Sequence, residues 1–266
     1  MAYQHILFEV SDGGVARLTL NRPDKMNSFN ADMHAELRDA LDSIQTNAAV
    51  RVLVLTGAGR GFCAGQDLAD AEVRFVPGDT PPDLGDVVER HYKPLVMRLA
   101  NLRVPTVAAV NGVAAGAGAS LALACDMVIA SQAASFMLPF AKIGLIPDTA
   151  CSWLVPQRLG QARALGLAMT GNKLPAAKAA EWGLIWEAVA EEAFAESVQK
   201  LAEQLATMPT KALVRTRQAM QAGRTNTLEQ QLTLEGLYMR ELGRSSDYVE
   251  GVSAFLEKRS PRFTGA

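Results

Sequence analysis

The sequence predicts an α/β fold, and three observations predict it. Short, valine-rich apolar runs at 51–56, 107–110 and 126–130 are separated by stretches of helical periodicity. The runs are nearly continuous in apolar residues rather than alternating, as in a parallel sheet covered on both faces. From about residue 160 the pattern becomes mostly helical. With 266 residues the chain suits one large domain, or one domain with a smaller helical region.

Composition narrows the function classes. The chain carries 26 basic and 28 acidic residues, a formal net charge of -2, with no basic tract, so nucleic acid is not an expected partner. Cys63, Cys125 and Cys151 are too few and too scattered for a disulfide framework or a metal site, and they suit a reduced cytoplasm. The first residues lack a basic region followed by an apolar run, so no signal peptide is expected. Asp126 interrupts the richest apolar stretch, and no membrane span is expected.

In order, residues 5–10 and 15–20 read as a hairpin around Asp12-Gly13-Gly14. Met33, Leu37, Leu41 and Ile44 place an amphipathic helix over 31–46. The strand at 51–56 leads into Gly57-Ala-Gly-Arg-Gly-Phe62. That run is not a dinucleotide loop, because Gly-x-Gly-x-x-Gly from Gly57 would need glycine at Phe62. Residues 70–86, with three prolines, read as a loop, and 87–102 as a helix through Val88, Tyr92, Leu95 and Leu99. The strand at 107–110 then feeds an alanine-rich helix over 117–124, with Gly112, Gly116 and Gly118 at the junction. Such a turn either permits close helix–sheet packing or leaves N–H groups free at a helix N-terminus for an oxyanion. After the strand at 126–130, residues 135–148 are apolar but broken by Pro139, Gly144 and Pro147, and Asp148 stands where an N-cap is expected. A short strand is expected within 181–189, then helices broken near Pro209, Gly223 and Gly243.

Four motifs in this order resemble the crotonase superfamily of enoyl-CoA hydratases and isomerases. They are Asn21-Arg-Pro-Asp-Lys-Met-Asn-Ser28, Gly61-Phe-Cys-Ala-Gly-Gln-Asp67, Asn111-Gly-Val-Ala-Ala-Gly-Ala-Gly118 and Gly144-Leu-Ile-Pro-Asp148, with a matching tail over 251–263. The resemblance implies a spiral of ββα units over 1–195 and a C-terminal helical region over 196–266 that forms trimers or dimers of trimers. It implies an acyl-CoA thioester as partner, with CoA as part of the substrate and no separate cofactor. Carried over by motif, the backbone N–H groups of Gln66 and Ala117 would bind the thioester oxygen. Preorganised donors of this kind are worth roughly 3 kcal/mol each. Lys25, Met26, Ser28, Ala64, Asp67, Leu68 and Gly116 would line the substrate and CoA region, together with Phe140.

The same register separates chemistries within the superfamily. A hydratase would carry glutamates at Ser120 and Phe140, and neither residue here is an acid. Asp148 falls where family isomerases, and a related dehalogenase, carry an acid. One carboxylate suits a proton shift from the carbon α to the thioester through an enolate, and Phe140 should dry the site and raise the Asp148 pKa. The run Asn27-Ser-Phe-Asn30, Gly65-Gln-Asp-Leu68 and the stretch at 244–256 most resemble the branch that isomerises ring-epoxidised phenylacetyl-CoA. One departure is Asp148-Thr-Ala-Cys-Ser152, where Ala150 and Cys151 replace the family's usual glycines. Cys151 has no histidine near it in sequence and reads as a buried structural thiol. Two other readings stay open here: hydrolysis or dehalogenation by a nucleophilic Asp148, and a non-catalytic acyl-CoA-binding subunit.

Overall fold

The computed structural model describes residues 3–265. The first hairpin joins β1 (Ile6–Val10) to β2 (Val15–Leu20), antiparallel, with Val10 opposite Ala16. A 3-10 turn at Pro23–Lys25 leads to α1 (Ala31–Thr46), which is capped by the Asn30 side chain accepting from the Met33 N–H. β3 (Val52–Gly57) and the short β4 (Gly61–Cys63) follow. After a loop come α2 (Leu84–Val87), one π turn at Val88–Tyr92 and α3 (Lys93–Ala100). Next are β5 (Thr106–Val110), β6 (Val113–Ala115) and α4 (Ala117–Ala124), then β7 (Met127–Ser131) and β8 (Ser135–Met137). A 3-10 turn at Pro139–Ile143 precedes α5 (Cys151–Thr170), which breaks at Gly160, where φ is 72° and ψ is 166°. β9 (Leu174–Pro175), α6 (Ala176–Glu181), β10 (Glu187–Val189), α7 (Glu191–Thr207), α8 (Thr210–Ala222), α9 (Leu228–Leu242) and α10 (Ser246–Leu256) complete the described chain.

The strands form two sheets among the described residues, of order β1-β2-β3-β5-β7-β10 and β4-β6-β8-β9. Each turn of the chain gives one long strand to the first sheet, one short strand to the second, and then a helical segment. This is the spiral of ββα units that the resemblance implied, and β2, β3, β5, β7 and β10 run parallel. The continuous apolar runs have the expected cause. Leu53 and Leu55 of β3 face the core beneath α1 and α4, while Val52 and Val54 face Val198, Ala202 and Ala206 of α7. α8 is tied back by Arg217, which donates to Asp126 Oδ2 at 3.0 Å and to the Val104 carbonyl at 3.2 Å.

Several expectations need correction. The junction between β5 and α4 holds a further strand, β6, because the second sheet needs a partner for β4. The strand expected within 181–189 is confined to Glu187–Val189, with α6 occupying the start of that stretch. Helix starts at Cys151 rather than near 160. Its cap position is Ala150, not Asp148, and it makes no side-chain capping bond.

Candidate active site

The site is built from backbone at two turns. Gly65 has φ 95° and Gly116 has φ 54° with ψ −128°, the mirror image of the β region and open in practice only to glycine. The two turns lie against each other: a Cβ on Gly65 would fall 3.0 Å from the Ala115 carbonyl and 3.4 Å from the Ala117 nitrogen. The residue after each glycine presents its N–H. Phe29 donates to the Gly65 carbonyl and Asp67 donates back to Phe29, so the Gln66 N–H points away from that pairing. Ala117 opens α4, whose first internal bond runs from Ser120 N–H to the Gly116 carbonyl. Among the described residues neither the Gln66 nor the Ala117 N–H donates a hydrogen bond. Two unpaired donors, one of them at a helix N-terminus, form a place where negative charge on an oxygen is favoured.

The residues around these turns are set by packing. Gly118 sits on β4: a Cβ there would lie 2.4 Å from the Cys63 carbonyl oxygen. The Phe140 ring is buried and closes over the Gly116 turn, 3.8 Å from where a Cβ would sit. Ser120 is fully buried, and its hydroxyl donates back to the Gly116 carbonyl at 3.1 Å. The two positions where a hydratase would carry glutamates therefore hold a hydroxyl spent on its own helix and an apolar ring.

Asp148 lies at the turn before α5, which packs on α4. Burial pushes its carboxyl above the usual aspartate range. The Thr149 hydroxyl, donating to Oδ1 at 2.9 Å, and the Asp148 N–H pull part of the way back. The expected rise is present, and burial is its cause. Cys151 is a buried free thiol pushed up to about 11, chiefly by burial, so it is not poised as a nucleophile.

The two motifs expected to line the CoA region are joined to one another. Met26 and Asn27 both have left-handed backbones, with φ 51° and 56°. Asn27 supports that bend from inside, fully buried, donating to the Ala58 and Gly61 carbonyls at 2.9 Å each. The Met26 carbonyl accepts from the Ala64 N–H at 2.9 Å, which joins the Lys25–Ser28 motif to the Ala64–Leu68 motif. Lys25, Ala64 and Leu68 are exposed along this edge, and Ser28 is buried. Asp67 is engaged within the protein. Its burial works against ionisation, but the Ala69 N–H and Arg22, at 2.9 Å, outweigh that and hold the carboxyl low.

Sequence reasoning missed Tyr92 and Thr149. Tyr92 reads as one apolar position on a helical face. The π turn instead brings its hydroxyl to Gln66 Oε1, at 2.5 Å, with its ring edge-on to His34 and Phe29. Burial first, then the nearby Cys63 and Asp148, raise its pKa well above the phenol value, so it stays a donor. Thr149 could have been found as the hydroxyl beside the only acid in its motif.

A spiral of ββα units with two unpaired backbone donors and a half-buried carboxylate, Asp148, fits the class of thioester enzymes that the sequence resembles. The enoyl-CoA hydratase/isomerase family model matches residues 11–266, and the chain belongs to that family. It is 56% identical over 252 residues, 95% of each chain, to the 1,2-epoxyphenylacetyl-CoA isomerase of Escherichia coli strain K12. It is 46% identical over 265 residues, 100% of each chain, to a Rhodobacter capsulatus protein named a probable enoyl-CoA hydratase. Among solved structures, a Mycobacterium abscessus protein described as a putative enoyl-CoA hydratase/isomerase superposes with a TM-score of 0.91 at 36% identity, over 98% of this chain and 100% of the other.

Proposed function

We propose that the protein is a CoA-thioester isomerase that acts on 2-(1,2-epoxy-1,2-dihydrophenyl)acetyl-CoA and also moves the double bond of simple 3-enoyl-CoA esters. The observation that carries this reading is the half-buried carboxylate of Asp148, left as the acid among the three motif positions by the replacement of both hydratase glutamates at Ser120 and Phe140. The similarity to the Escherichia coli isomerase supports the ring substrate.

In this mechanism Asp148 removes the proton α to the thioester. The enolate oxygen is held by the Gln66 and Ala117 N–H groups. The carboxylic acid then returns the proton at the γ carbon, so the double bond moves and no water is consumed. With the ring substrate the epoxide opens by valence tautomerism to the seven-membered oxepin. Loss of the side-chain α proton and return of a proton to the ring give the conjugated thioester. Phe140 excludes water over the Gly116 turn. Lys25, Met26, Ser28, Ala64, Asp67 and Leu68 take the CoA portion, and no other cofactor is required.

Assembly as a trimer or dimer of trimers through the region 196–266 is part of the same reading. An apolar groove of about 630 Å³ among α8, α9 and α10, lined by Met239, Leu242, Val252 and Phe255, supports it. A cytoplasmic location accords with the buried free thiols.

The test supplies the ring-epoxide thioester and follows oxepin-CoA, which has the same mass as the substrate, by its conjugated ultraviolet absorbance after chromatographic separation. D148N should lower the rate about 10²- to 10⁴-fold. An undiminished rate, or an ester trapped on Asp148, overturns the proposal, the latter in favour of hydrolysis or dehalogenation.

A further inference from the structure

The residue beside the proposed base has an unusual backbone. Thr149 has φ 52° and is only 5% exposed, and Ala150 follows at φ 63°. A β-branched residue in the left-handed region is an outlier that its surroundings must hold in place. Here the turn is closed by the Cys151 N–H donating to the Asp148 carbonyl at 2.8 Å and the Leu154 N–H donating to the Ala150 carbonyl at 2.9 Å. The bend accomplishes one thing at the site. It curls the Thr149 side chain back so that Oγ1 donates to Asp148 Oδ1 at 2.9 Å. Asp148 Oδ2 accepts from no other residue among those described, and it is not among the sealed, unpartnered polar atoms of the interior. The two oxygens of the carboxylate are therefore inequivalent: Oδ1 is held by a neighbouring side chain and Oδ2 is not.

We propose that Thr149 is a positioning residue that occupies Oδ1 and reserves Oδ2 as the oxygen that takes and returns the proton. This rests on the isomerase reading. A donor to the carboxylate favours its charged form and so opposes the effect of burial on the same group. It also fixes the rotation of the carboxylate. Abstraction and return then use one lone pair on one oxygen, without a flip between steps.

T149V keeps the branched shape and removes the donor, whereas T149S keeps the donor. The experiment titrates the Asp148 carboxyl by carbon-13 NMR in aspartate-labelled protein, with D148N assigning the resonance, beside the pH profile of kcat/KM on a 3-enoyl-CoA. In T149V the titration and the acid limb should both move up by about one pH unit. In T149S both should stay at wild-type values. If T149V does not fold, T149A removes the same donor together with the strained branch, and it should show the same shift. An unmoved titration in the hydroxyl-free variant, or an equal shift in T149S, overturns the proposal. The titration needs no turnover. A wild-type protein inactive on every thioester would refute the isomerase reading and still leave the clamp to be judged on the titration.

Discussion

The Gly116–Ala117 turn and the Thr149–Ala150 turn both leave right-handed backbone space, one with glycine and one without. At Gly116, φ 54° costs glycine almost nothing, and the Ala117 N–H is aimed by backbone alone. At Thr149 and Ala150 a positive φ, with Ala150 in the left-handed helical region, is held by residues with a Cβ, at about 1–3 kcal/mol each. The first turn needs only to present an N–H, so any residue after the glycine serves. The second must present a carboxylate and a hydroxyl together, and a side chain can be delivered only by a residue that has one. Strain is thus located at the proposed proton-transfer group and not at the proposed oxyanion pair.

Substitutions can break this contrast, beginning with the most damaging. G118A places a Cβ 2.4 Å from the Cys63 carbonyl oxygen, backbone against backbone. It should cost about 4 kcal/mol or more and be seen as loss of the cooperative melt. G116A has room, since the nearest atom is Phe140 Cζ at 3.8 Å, so it should fold with a lowered Tm. Its N–H would be misaimed, and kcat should fall about 10²- to 10³-fold while CoA product still binds in calorimetry.

A150G should act in the opposite direction. Removing the left-handed alanine gains roughly 1–2 kcal/mol, and glycine's entropy returns about 0.5–1 of it. The net expectation is a Tm raised by about 2 °C with kcat close to wild type. The mildest effect concerns pH. Burial raises the Asp148 pKa in the folded state, so the folded protein binds this proton more tightly than the unfolded chain does. Its contribution to stability is then lost as pH rises from the ordinary aspartate value through the raised one. D148N, which cannot ionise, should melt above wild type at neutral pH and converge with it in acid.

How much of this was legible in sequence follows from the same physics. The long strands were readable because burial on both faces makes β3, β5 and β7 continuous apolar runs. The second sheet was not, since β4, β6 and β8 are three residues each, too short for any period to register. The glycine turns were visible as Gly65 and Gly116, because a positive φ leaves a compositional mark. The turn at Thr149 leaves none, and Asp148 was read as a helix cap when the cap position belongs to Ala150. The Tyr92 bond to Gln66 depends on a π turn, which shifts a side chain off the helical face that periodicity assigns to it.

The central claim is that one carboxylate moves the proton and no water is added. It is tested most directly by following the absorbance of the conjugated thioester when purified protein meets a 3-enoyl-CoA, with D148N run in parallel. The account predicts a rise with wild type that falls at least about 100-fold in the folded D148N protein, with no 3-hydroxyacyl-CoA formed. An equal rise in D148N, or a hydrated product from wild type, would contradict it.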